Sequence, residues 1–275
     1  MTGIDKEKLL SFARTEEDKL FVRRLVDKAN QSLKGYITYT HFIDPHQRSV
    51  AKKVLNELGV KYVFDGGYKD AERVVVAFVP EYLTGSTEAE TLEAVRNDPS
   101  YPVSLVEISY KKNRYSRELT HRDFLGAIMN LGIKRETLGD ILVHDEYTQV
   151  VLLSDMAAFI ENNLTQAGRL RVDVKTAPLS KLTVPAVKTT EKTTTVASLR
   201  LDAIVAEGFN ISRSLAADCI KAGKVYLQYE ECNNVSKTVE EGQTITLRGK
   251  GRIVLESIGA VSKKNRIFIT IKKYI

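Results

Sequence analysis

Two histidines flank a carboxylate, His41 and His46 around Asp44, and a third, His121, stands just before Asp123; acid/base or metal chemistry would have to start there. Neither grouping has the required spacing. His41 and His46 cannot share one helical face, and no further ligand is close in sequence, so capping and ordinary loop roles account for them. His144-Asp145-Glu146 reads as a strand-to-strand turn. The only cysteines, Cys219 and Cys232, have no Cys or His at metal spacing and read as plain thiols, with Cys219 on the packed side of a helix. No catalytic residue, metal site or cofactor is expected. What remains is the chemistry of cations presented to phosphate. Arg213, Ala217, Lys221 and Lys224 recur on one side of a helical stretch. Arg248-Gly-Lys-Gly-Arg252 sets Arg248, Lys250 and Arg252 at alternate positions, with glycines that let the backbone close on a phosphate chain. This is not a nucleotide-binding loop, since the Gly-x-x-x-x-Gly-Lys-Ser/Thr spacing is missing and the context is strand to strand.

The charge distribution points the same way. The chain of 275 residues carries a net charge of +6, and from position 191 onward 14 Lys and Arg face 9 Asp and Glu, whereas the preceding part is nearly balanced. A local positive field attracts polyanions, nucleic acid first among them. The longest uninterrupted apolar run is 74–79, far short of the roughly 20 residues of a membrane helix, and the charged N-terminus has no signal-like region. A soluble cytoplasmic protein with no membrane partner is expected.

These residues need elements to hold them. Residues 5–34 have apolar positions at helical spacing, and a second helix is predicted over 45–58, capped by Asp44, opened by Pro45 and stopped by Gly59. Asp65-Gly66-Gly67 reads as a turn, so 1–70 is expected to form a helical N-terminal unit. The β-rich run 73–79 leads into a central domain, 71–176, read as strand 103–109, helix 120–131, strands 140–144 and 148–153, helix 155–164 and strand 170–175. This βαββαβ order is that of ferredoxin-like folds and of the RNA recognition motif. Such a motif stacks bases on aromatics of its central strands, but here the strands supply Val103, Leu105, Ile108, Ile141 and Val143, which speaks against RNA stacking on that face. Between 177 and 197 periodicity gives way to Pro178, Pro185 and many threonines, which reads as a linker that could still lie extended against a neighbour. From 198 to 275 a short helix capped by Ser198 and ended by Gly208, a second helix capped by Ser212 and terminated by Gly223, and strands at 225–227, 244–247, 253–255 and 266–271 follow. Leu215, Ala216, Cys219 and Ile220 are expected to pack. The class is α+β.

Leu199-Arg-Leu-Asp202, Ile211-Ser-Arg-Ser214, Ile220-Lys-Ala-Gly-Lys-Val225 and Gly242-Gln-Thr-Ile-Thr-Leu247 resemble, in order and spacing, the S-four RNA-binding domain shared by a small-subunit ribosomal protein, some pseudouridine synthases and tyrosyl-tRNA synthetases. The resemblance implies that Arg200, Arg213, Ser214, Lys221 and Lys224 lie on an RNA-facing side, joined by the Arg248, Lys250 and Arg252 hairpin. The chain departs from the family where a Val-Asn-Gly hairpin becomes Leu227-Gln228-Tyr229 followed by Glu230 and Glu231, a loop expected to face away from RNA or to meet a protein. Phe42-Ile-Asp-Pro45, Gly66-Gly-Tyr68 with Ala71-Glu-Arg73, Leu119-Thr-His-Arg-Asp123 and Gly139-Asp-Ile141 extend the likeness, and the whole resembles the YlmH family. That resemblance implies a bacterial protein that binds rRNA of the large ribosomal subunit, with tRNA as a further candidate partner. It also implies a role in handling stalled nascent chains and a cell-division gene neighbourhood. In this chain Leu215 stands where the family more often has lysine. Two alternatives stay open: an RNA-modifying enzyme anchored by this module, for which no catalytic signature is found, and a protein-interaction adaptor related to cell division.

Overall fold

The computed structural model describes residues 6–111, 117–186 and 189–274. They fall into two compact units, Met1–Pro185 and Ala186–Ile275. The first opens with helices α1 (Lys6–Ser11) and α2 (Glu16–Ser32), strand β1 (Thr38–Tyr39), helix α3 (Pro45–Leu58), strands β2 (Tyr62–Asp65) and β3 (Val75–Phe78), and helix α4 (Glu88–Arg96). Helix α3 forms as its sequence dictates. Asp44 accepts from the Gln47 N–H at 2.8 Å, the Gln47 side chain accepts from the Asp44 N–H at 3.1 Å, and Gly59 leaves the helix at φ +62°.

The expectation of an all-helical opening is corrected, because β1, β3 and β2 form an antiparallel sheet with β3 in the middle. The apolar run at 74–79 is therefore the centre of this first sheet and not a lead-in to the next domain. Its residues alternate between two covered faces: Val76 and Phe78 meet α2 and α3 through Leu25, Val54 and Leu55, while Ala77 and Val79 meet Val95 of α4. A strand buried on both sides shows no alternation, and β1 is too short to show any, so periodicity alone could not reveal the sheet.

The second half of this unit runs β4 (Val103–Tyr110), α5 (His121–Met129), β5 (Leu138–Val143), β6 (Tyr147–Leu153), α6 (Ser154–Asn163), β7 (Gln166–Ala167) and β8 (Leu170–Ala177). The sheet order β5-β6-β4-β8-β7 is the antiparallel ferredoxin-like arrangement read from the sequence, with β7 added at the edge. Helices α5 and α6 cover one face through Phe124, Ile128 and Ile160, against Val106, Ile108, Ile141, Val150 and Leu152. Ile108 and Ile141 thus point to the helices, and only Val103 and Leu105 of the five residues expected on the open face lie there. That face is itself covered: Phe42, Leu179 and Leu182 pack on Val103, Leu105, Val151 and Leu153. Gln149 holds the covering segment, donating to the Lys181 carbonyl and accepting from the Thr183 N–H, both at 2.9 Å.

The second unit contains β9 (Thr189–Val196), α7 (Leu201–Phe209), α8 (Arg213–Lys221), β10 (Val225–Leu227), β11 (Glu230–Glu231), β12 (Thr244–Leu247), β13 (Gly251–Val261) and β14 (Ile267–Tyr274). Its six strands lie in the order β11-β10-β12-β13-β14-β9, and α7 and α8 bury Leu201, Ile204, Val205, Ala216 and Ile220 against Val225, Ile245, Ile253, Leu255, Ile269 and Ile271. Two expectations change here. Residues 189–196, read as linker, pair with β14 along the whole strand, because threonine and valine suit a pleated surface once a partner is present. Helix α7 starts after Arg200, not at Ser198, and runs through Gly208 to a left-handed Asn210 at φ +52°. Gly208 is instead a point of close approach, since a Cβ there would meet Ile253 Cδ1 at 2.3 Å.

Candidate nucleic-acid interface

The cation surface is organised by one carboxylate. Asp202, in the first turn of α7 where negative charge suits the helix dipole, is only 4% exposed. It accepts from Arg213 Nε at 2.9 Å and Nη2 at 3.2 Å, and from Arg200 Nε at 3.2 Å and Nη2 at 3.4 Å. Burial opposes its ionisation, but the hydrogen bonds from Arg213 and then Arg200 outweigh this and hold its carboxyl below the usual carboxylate range; the Arg213 guanidinium is shifted up in turn by the same bond. The guanidinium of the residue preceding α7 and that of the first residue of α8 are thereby held on one carboxylate, with the side chain of Arg213 still 51% exposed and that of Arg200 38% exposed. The pair retains one net positive charge and outward-facing N–H groups, an arrangement suited to phosphate oxygens.

From this point the cations continue along α8. Ser212 caps the helix by accepting from the Leu215 N–H at 3.2 Å, leaving Arg213 and Ser214 exposed in the first turn. Ala216 and Ile220 are buried and Cys219 packs partly beside them, but Leu215 is 47% exposed, which corrects its expected place on the packed side. Lys221 closes the helix, Gly223 turns the chain at φ +66°, and Lys224 follows; neither lysine forms an ion pair among the described residues. The carbonyl of Lys224 accepts from the Arg248 N–H at 2.9 Å, so the end of α8 and the glycine-spaced hairpin are neighbours.

Strand alternation then divides the hairpin's cations. Leu247 and Ile253 point into the core, so Arg248 and Arg252 turn to the opposite face of the sheet, away from α7 and α8. Arg248 donates from Nη2 to the Tyr226 hydroxyl at 2.6 Å and lies 5.7 Å from its ring centroid; Arg252 lies 4.3 Å over the Tyr274 ring. Lys250 sits exposed at the tip between Gly249 and Gly251, at φ +84° and +100°. The single positive surface anticipated from spacing is thus two: Arg200, Arg213, Ser214 and Lys221 on the helical side, Arg248 and Arg252 on the sheet side, with Lys224 and Lys250 where the two meet. Sequence reading missed Asp202 as organiser, and missed Tyr226 and Tyr274. The alternation of Tyr226 with Val225 and Leu227 was the available signal.

The hairpin that lacks glycine keeps its turn nonetheless. Leu227 pairs with Glu230, and both central residues, Gln228 and Tyr229, sit at positive φ, +51° and +66°, as a type I′ turn requires. The Gln228 side chain accepts from the Thr244 N–H at 2.8 Å and its own N–H donates to the Thr244 carbonyl at 2.8 Å, which anchors the turn. The Glu231 carboxylate lies against Gly223, where an added Cβ would approach it within 2.7 Å.

The histidines of the first unit take separate partners. His46 Nε2 is 3.0 Å from Asp18, His41 Nδ1 is 3.4 Å from Glu136, Asp44 caps α3, and Asp123 caps α5 while pairing with Arg117. Among the described residues no three His, Cys, Asp or Glu side chains are grouped to hold a metal. The family-like segments of this unit do converge. Asp140 accepts from the Tyr68 hydroxyl at 2.7 Å and from the Glu72 and Arg73 N–H groups at 2.8 and 3.1 Å, while Arg73 donates to the carbonyls of Leu138, Phe42 and Arg135. Burial, and then the charge of Arg73, push the neighbouring Arg135 down to about 10. Donating to carbonyls of two segments, 135–138 and Phe42, Arg73 staples the first sheet to the second.

Comparison with known proteins agrees with this layout. A family model described as "YlmH, N-terminal" matches residues 17–83, one described as "Putative RNA-binding domain in YlmH" matches 97–181, and the S4 domain model matches 199–245. The chain is 32% identical over 234 residues to the "Ribosome-associated protein quality control protein P2" of Bacillus subtilis (strain 168), covering 85% of this chain and 86% of that protein. A solved structure titled "Cell division protein ylmH from Streptococcus pneumoniae" is 27% identical, covers 61% of this chain and 95% of its own, and superposes with a TM-score of 0.46. With RNA-binding domain models matching both units and a relative alike over most of its length, this chain belongs to the YlmH family.

Proposed function

We infer that this protein is a non-catalytic, cytoplasmic RNA-binding protein that docks on structured rRNA of the large ribosomal subunit and acts in ribosome-associated quality control. The observation that carries the reading is the buried Asp202 holding Arg200 and Arg213 in a fixed, outward-facing pair at the head of a helix that ends in Lys221, with Lys224 just beyond it. Such a row follows a phosphate path by shape and charge, and reads little sequence. The ribosomal context comes from the name of the Bacillus subtilis relative. The covered face of the ferredoxin-like sheet argues against base stacking there, and the separate pairing of His41, His46, Asp44 and Asp123 argues against an acid/base centre.

The test is binding of the full chain to purified large subunits and to a folded rRNA fragment across a salt series. Replacing Arg213 and Lys224 by alanine is expected to weaken binding and to flatten the dependence on salt by about one unit of slope for each phosphate no longer neutralised. Unchanged affinity and slope would remove these residues from the interface, and failure of the wild-type chain to sediment with large subunits would remove the ribosomal assignment.

A further inference from the structure

The arginines on the far side of the second sheet stand in a pattern of their own. Tyr226 pairs directly with Thr246 and Thr246 with Arg252, and Arg252 lies over the Tyr274 ring, so these four side chains form one row across β10, β12, β13 and β14. Directly opposed residues share a face, and the neighbours Val225, Leu227, Ile253 and Leu247 are all in the core, which places the row on the face opposite the helices. Arg248 joins it from the hairpin, lying over Tyr226. Further along β14 on the same face Phe268 is 43% exposed, beside Gly259.

We propose that this face is a stacking platform for unpaired RNA, separate from the phosphate-tracking surface of α7 and α8. The proposal rests on the RNA-binding reading above and names a further class of ligand for it. An arginine seated against a tyrosine ring places a cation and a second planar group beside it, a pairing that suits an unpaired base and its flanking phosphate. Each end of the row has such a pair: Arg248 donates to the Tyr226 hydroxyl with its guanidinium 5.7 Å from the ring centroid, and Arg252 lies 4.3 Å from the Tyr274 centroid. Tyr226 and Tyr274 are three strand spacings apart, about 14 Å, so they engage different nucleotides of an extended strand. Lys250 at the hairpin tip adds charge on one side, and Glu231, paired with Tyr226 on β11, closes the row on the other, so the sugar-phosphate chain is favoured along the Arg248 to Arg252 edge. An RNA duplex cannot use the platform, because its bases are already stacked on one another.

The experiment compares two probes on the full chain, an unstructured ten-nucleotide oligouridylate and a closed RNA hairpin, by fluorescence anisotropy. The variant Tyr226→Leu/Tyr274→Leu keeps apolar bulk but removes stacking. It is expected to bind oligouridylate more weakly by about thirtyfold or more, two stacked bases being lost, and the hairpin as the wild type does; Tyr226→Phe/Tyr274→Phe is expected to restore oligouridylate binding. As a second readout, Tyr274→Trp introduces a tryptophan into a chain that has none. Its emission should be quenched on adding oligouridylate and unaffected by the hairpin. Equal loss for both probes, no loss for either, or no quenching would overturn the platform while leaving the helical surface intact. A wild-type chain that binds neither probe would instead overturn the RNA-binding reading itself.

Discussion

Asp202→Asn separates two explanations of the cation surface, because it raises the net charge of the protein while removing what positions Arg200 and Arg213. The carboxylate is 4% exposed and accepts four arginine N–H hydrogen bonds of 2.9 to 3.4 Å. A charge-assisted hydrogen bond contributes about 1.5–3 kcal/mol in protected surroundings. Both arginine side chains are more than a third exposed, so solvent screening reduces this. A net loss of about 1–2 kcal/mol follows for the C-terminal unit, or about 4–16 °C in its melting temperature. The sign with pH follows from the carboxyl, which is harder to protonate in the folded chain than in the unfolded one. Its stabilisation is therefore complete above the unfolded value of about 3.9 and is lost as pH falls through the lower folded value, so the gap between wild type and variant should narrow only below about pH 4. Urea unfolding at several pH values measures this. In RNA binding, counterion release alone predicts that the extra positive charge holds or tightens affinity. Positioning predicts the reverse: weaker binding to folded RNA and a salt slope shallower by about one unit. Affinity equal to or tighter than wild type at every salt concentration, with the variant folded, would refute the positioning argument.

Two further outcomes are open to direct measurement. Tyr229 holds a left-handed conformation at φ +66° that costs a non-glycine residue about 1–2 kcal/mol, partly offset by the greater chain entropy of glycine, so Tyr229→Gly should stabilise the C-terminal unit by about 0.5–1 kcal/mol in urea unfolding. Leu215, exposed beside Arg213 and Ser214 in the first turn of α8, should accept lysine with a stability change within about 0.5 kcal/mol. Leu215→Lys should also steepen the salt dependence of hairpin RNA binding by about one unit.

Much of the fold was readable because its signals are local. The Asp44 and Ser212 caps, the stops at Gly59 and Gly223, and the order of strands and helices between Val103 and Ala177 are decided within a few residues by backbone hydrogen bonding and by the period of apolar side chains. The first sheet was not readable, since β1 is two residues long and β3 is buried on both faces, and neither carries a period. Strand β9 was hidden in the same way, being a run of threonines that becomes a strand only against β14.

For the site, composition and spacing determined that the C-terminal part is basic, that cations line α8, and that a glycine-spaced hairpin adds three more. Tertiary structure decided what each cation does. Arg200 and Arg213 are thirteen positions apart along the chain and meet only because α7 and α8 bring both to Asp202. Arg248 and Arg252 were grouped with them by charge, yet the two-residue period of the strands, once Leu247 and Ile253 are committed to the core, turns them to the other face and onto Tyr226 and Tyr274. Charge is a property of residue type and can be read along a sequence, whereas the side of a sheet from which it acts depends on which neighbours are buried.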